Sequence, residues 1–141
     1  MALGIAVLVS NAVAAGWGGV AWLRRDARAS IAFWPLLRVA QATVVVQAVV
    51  GFVLLARGSS APDGLHAAYG IAPLVVSLVS EGMRVGVAQR ELDGVEGDLD
   101  ELERGEQIAV ARRVALGEMA VMTVGALLIL TLALRAYQTG G

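Results

Sequence analysis

The 141 residues are one domain's worth of chain. They are 57% apolar and only 16% charged, against roughly 45–50% and about 25% in soluble globular proteins. That balance excludes a disordered chain and argues against a soluble enzyme. The formal net charge of −1, with eleven basic residues that are all Arg against twelve acidic ones, leaves no broad basic surface for nucleic acid. With no Cys and one His, a disulfide, a thiolate centre and bis-histidine haem ligation within one chain are all excluded.

The first apolar run, residues 3–23, carries no charge and stops at Arg24-Arg25. At about 1.5 Å per residue it is long enough to cross a hydrocarbon layer of about 30 Å. Ala12-Val13-Ala14 has the small-x-small form of a signal-peptide cleavage region. The arginines follow the apolar run instead of preceding it, so a retained span is expected. Asn11, Ala15, Gly18 and Gly19 mark a packing face, through Ala14-x-x-x-Gly18 and Ala15-x-x-x-Gly19. Such steps let helices approach closely, within a chain or between copies. Trp17, between them, reads as a lipid-facing bulk residue, which is slightly preferred, or as a packing anchor.

The second span is expected over residues 36–56. Val39–Ala56 is uncharged, so Arg38 need lie no deeper than the membrane interface, where its stem can snorkel. Gln41, Thr43 and Gln47 add polar positions beyond it. Arg57 to Leu65 then reads as a short Gly/Ser/Pro/Asp turn.

The third span, residues 66–83, carries the most organised polar signal. His66, Gly70, Pro73, Ser77, Glu81 and Arg84 recur at intervals of three and four, which aligns them on one helix face with Tyr69 and Ser80 beside them. An isolated carboxylate in hydrocarbon is costly, so Glu81 is expected to be charged and paired, locally with Arg84 or across helices with Arg38. The stripe reads either as a structural network or as the wall of a polar route. His66 and Tyr69 form a candidate interfacial pocket, although a lone His there more often only hydrogen-bonds at the surface.

Residues 85–113 hold Glu91, Asp93, Glu96, Asp98, Asp100, Glu101, Glu103 and Glu106. Leu92, Val95, Leu99 and Leu102 fall at spacings of three and four, which predicts a short amphipathic helix or a helical extension despite Gly94 and Gly97. The segment is a solvated connector or a docking surface for a cytoplasmic partner. A fourth span, residues 114–134, follows Arg112-Arg113, carries Glu118 and Thr123, and ends before Arg135. Arg38-Val39-Ala40 and Arg113-Val114-Ala115 open the second and fourth spans alike, a match too short to establish a duplication.

The loops set a direction. Arg24, Arg25 and Arg28 in one loop, and Arg84, Arg90, Arg104, Arg112 and Arg113 in the other, oppose only Arg57 and Arg135. The positive-inside rule therefore places both termini outside and both Arg-rich loops in the cytoplasm, in a plasma membrane of bacterial type. The expected fold is all-α, an integral membrane four-helix bundle with a short outer loop and a longer acidic cytoplasmic hairpin.

The chain has no E-x-x-H pair, G-x-S-x-G, phosphate loop, dinucleotide fingerprint, zinc spacing or lipidation motif. No metal, cofactor or nucleic-acid partner is expected. The leading expectation is a small non-enzymatic membrane protein, in contact with membrane lipids, that self-assembles or serves as a subunit of a larger membrane complex. Two alternatives stay open. One is an oligomeric transporter or channel with a polar route along Arg38, Gln41, Gln47, Ser77, Glu81, Arg84 and Glu118. The other is a membrane redox or enzyme module at His66, Tyr69 and Glu81.

Overall fold

The computed structural model describes residues 2–58, 64–95 and 97–139. Its long elements are helices: α1 (Ala2–Leu23), α2 (Ser30–Ala56), α3 (Gly64–Asp93) and α4 (Arg104–Thr139). All four are long and apolar enough to cross a membrane. The predicted outer turn at residues 59–63 lies outside the described residues.

Helix ends follow local chemistry. After α1, Arg25 takes a left-handed φ of 50°, uncommon for a residue with a Cβ. Asp26 then caps a 3-10 turn (Ala27–Ala29), its Oδ1 accepting the Arg28 backbone N–H at 3.0 Å. After α2, Gly58 turns the chain with φ 84°, a conformation that glycine adopts without steric cost.

The third and fourth helices outrun the apolar stretches that announced them. The helix expected to leave the membrane at Met83 continues to Asp93, and α4 begins at Arg104 instead of near Val114. Hydropathy marks where a chain can cross a bilayer, whereas a helix ends where its backbone is interrupted. Here Gly94 follows α3 and Gly97 has φ 92°. The periodic Leu92, Val95, Leu99 and Leu102 accordingly do not form one amphipathic helix: Leu92 ends up within α3, and Leu99 opens a 3-10 turn (Leu99–Glu101). The Gln107 side chain donates to the carbonyls of Leu99 and Leu102 at 2.9 and 3.2 Å, fastening this turn to α4.

Helices α1 and α4 are the centre of the bundle. α4 packs extensively on α3 and on α1, α1 packs on α2, and α2 meets α3 only thinly. Val7, Asn11, Ala14, Ala15, Gly18 and Ala21 form the buried face of α1, at the spacing of a single helical stripe. One core layer joins Ala14 and Ala21 to Phe33, Leu37, Ala40, Met119 and Met122. A second, toward the chain termini, joins Val7 to Val44 and Ile129. A Cβ at Gly18 would collide with Thr123 Oγ1 and the Phe33 ring, so glycine sets how closely α1 approaches its neighbours. The remaining faces expose Val, Leu and Ile along every helix, a surface suited to hydrocarbon and not to water.

Candidate functional site: an ion-pair chain across three helices

Where α2 and α3 part, polar side chains occupy the seam. Arg38 on α2 donates from Nη1 to Glu81 Oε1 on α3 at 2.6 Å. Glu81 Oε2 accepts from Arg84 Nε at 2.8 Å, one turn along the same helix. Arg84 Nη1 reaches Glu118 Oε1 on α4 at 2.9 Å. The result is an alternating Arg–Glu–Arg–Glu chain with no net charge. Gln41 completes it, its Oε1 accepting from Arg38 Nη1 at 2.6 Å and its Nε2 donating to Glu81 Oε1 at 2.8 Å.

The Trp34 ring lies beneath both guanidiniums, with Arg84 at 5.2 Å and Arg38 at 5.8 Å from its centroid. Both separations are within cation–π range. Burial increases along the chain of charges: the side chains of Arg38, Arg84 and Glu118 are 55%, 24% and 17% exposed. The outermost cation keeps contact with solvent while the innermost carboxylate is covered by its arginine.

Other candidate residues lie apart from this chain. Ser77 lines a small cavity with Asn11, Gln41 and Ser80, with room of about 10 Å³, close to the space of one water. Gln41 thus faces both the cavity and Glu81. Gln47 does not join, and its Oε1 is buried without a partner, as is Thr123 Oγ1. Asn11 is 1% exposed and donates to the Val7 carbonyl at 2.9 Å. Ala15 and Gly18 are buried, whereas a side chain at Gly19 would meet nothing. Tyr69 is half-buried, and the His66 side chain lies outside the described residues, so their proposed pocket has no described geometry.

Three contacts escaped the sequence reading. Trp34 precedes Arg38 by one helical turn, a spacing that foreshadows their stacking. Ser10 and Thr43 join α1 to α2 through their hydroxyl oxygens at 3.0 Å, with no periodic signal to announce it. Trp17, read as lipid-facing or as a packing anchor, is half-exposed and also donates its indole N–H to the Ala29 carbonyl at 3.1 Å, bracing the α1–α2 turn.

Among the described residues, no group of three or more His, Cys, Asp or Glu side chains is placed to hold a metal. Glu81 and Glu118 are each engaged by arginine, so neither is free to act as a base or a ligand without breaking an ion pair. No family model, curated protein or solved structure matches the chain.

Proposed function

We propose that the protein is a non-enzymatic integral membrane bundle that works as a building unit, assembling with its own copies or within a larger membrane complex. One observation carries this reading: the charged residues of the polar seam, Arg38, Glu81, Arg84 and Glu118, are spent on one another. A charge in hydrocarbon is expensive and usually marks function. Here its use is to join α2, α3 and α4, and the exterior of the spans is left apolar for lipid or for another membrane chain.

A second reading rests on the cavity beside Gln41. A small space where Asn11, Gln41, Ser77 and Ser80 meet the apolar Leu37, Met122 and Ile129, linked through Gln41 to Glu81, offers polar groups that a short hydrophilic path could use, and favours an oligomeric transporter.

One preparation separates the two. The full chain is crosslinked in its native membrane, and its mass is measured in mild detergents. The building-unit reading predicts a persistent oligomer or a stoichiometric partner, and a solitary 14.6 kDa chain under every gentle condition would overturn it. The same protein in vesicles should conduct no ion or solute. Flux that is lost in the Glu81→Gln, Glu118→Gln double variant would establish the transporter instead.

A further inference from the structure

The turn between α1 and α2 carries charge that the rest of the molecule does not use. Arg24, Arg25 and Arg28 are exposed there. Arg112, from α4, joins them by donating from Nη2 to the Arg25 carbonyl at 2.9 Å. Among the described residues, ion pairs engage Arg38, Arg84 and Arg113, and none of the four turn arginines has a carboxylate at that range. The one acid of the turn, Asp26, is committed to the backbone, where its Oδ1 caps the Arg28 N–H at 3.0 Å. The turn therefore carries three exposed arginines, joined by Arg112, against a single acid that is already hydrogen-bonded to the backbone.

The turn is also held in shape. Arg25 sits at a left-handed φ of 50°, the Arg112 guanidinium fixes its carbonyl, and the Trp17 indole fixes the carbonyl of Ala29. With the backbone braced at these points, binding an anion has to order the arginine side chains but not the chain that carries them. Exposed Trp22, at the end of α1, belongs to a residue type that settles at the level of lipid headgroups.

We infer that this turn is a docking site for the phosphate of an anionic phospholipid headgroup, an inference that rests on the four-span reading. Guanidinium forks match phosphate oxygens in geometry and charge, and arginines at an anionic leaflet add up in attraction. The acidic hairpin, repelled by the same leaflet, stands away from it, so the two loops sort to different depths. Arg90, close to that hairpin, instead donates to the Gly86 carbonyl of its own helix at 3.2 Å.

The full chain is reconstituted in vesicles of equimolar phosphatidylcholine and phosphatidylglycerol, and the lipids it retains are read by native mass spectrometry. Retention of phosphatidylglycerol should exceed that of phosphatidylcholine by at least about tenfold. In the variant Arg24→Gln, Arg25→Gln, Arg28→Gln the preference should fall to near parity. Lysine at the same three positions should keep most of it, which separates lost charge from lost folding, and Arg104→Gln should change nothing. Equal retention of both lipids by the wild type, or a preference untouched by the triple Gln variant, overturns the site. Loss of retained lipid to inorganic phosphate but not to chloride of matched ionic strength would make it a free-anion site. Salt-sensitive pairing of chains without lipid preference would assign the turn to the acidic hairpin of a second copy. Resistance to alkaline extraction is measured on the same vesicles. A resistant chain without preference refutes the docking site alone, whereas an extractable chain refutes the four-span reading and the site with it.

Discussion

Glu81 is the residue on which the polar seam turns, because it alone touches two arginines and the Gln41 amide. Replacing it by leucine leaves Arg38 and Arg84 without that carboxylate and strands the Gln41 donor. The expected loss is about 2 kcal/mol, below the roughly 3–5 kcal/mol of a fully buried pair, because Arg38 reaches solvent and Arg84 keeps Glu118. Glu81→Gln retains a neutral acceptor and should lose less. Thermal unfolding of both variants in detergent checks this: equal stability of wild type and Glu81→Leu would show that the chain of charges does not hold the helices. The Glu81–Arg84 contact is legible in the sequence, since residues three apart on a helix are neighbours. The Arg84–Glu118 contact is not, because it depends on the register of α3 against α4, which no single-chain periodicity encodes. Trp34 stands one helical turn before Arg38, but its stacking on both guanidiniums required knowing that Arg38 turns toward α3.

At the scale of the element, α1 shows how small residues are read with only partial resolution. Two overlapping small-x-x-x-small steps predict one packing face, yet a Cβ on Gly18 would strike Thr123 and Phe33 while one on Gly19 would meet open space. Successive residues on a helix point about 100° apart, so only one of the two steps can lie centrally against a given neighbour. Gly18→Ala should destabilise the bundle by roughly 1–3 kcal/mol through overpacking. Gly19→Ala should stay within about 0.5 kcal/mol of wild type. Melting temperatures of the two variants in one detergent decide the matter, and equal effects would contradict the close approach of α1 to α2 and α4. The existence of four long helices was legible for a simpler reason: long apolar runs with at most one charge inside, set off by arginines, are a composition signal that needs no partner. Their ends were not, because α3 and α4 extend as helices beyond the apolar residues until Gly94 and the turn around Gly97 interrupt the backbone.

For the whole molecule, the arrangement places its charges in two classes. Arg38, Glu81, Arg84 and Glu118 are paired with one another across the helices, and the arginines of the α1–α2 turn and the described acids of the α3–α4 connection are exposed. The proposed assembly and the proposed lipid contact both require these two connections to share one side of the membrane. Because the chain has no Cys, single cysteines report their own location without background. Ser30→Cys and Gly105→Cys probe the two Arg-rich connections, and Ser60→Cys and Gly140→Cys probe the opposite side. An impermeant thiol reagent applied to intact cells should label positions 60 and 140, and should reach positions 30 and 105 only after the membrane is opened. Labelling of 30 and 105 from outside with 60 and 140 protected would invert the orientation, and opposite exposure of 60 and 140 would contradict the four-span bundle itself.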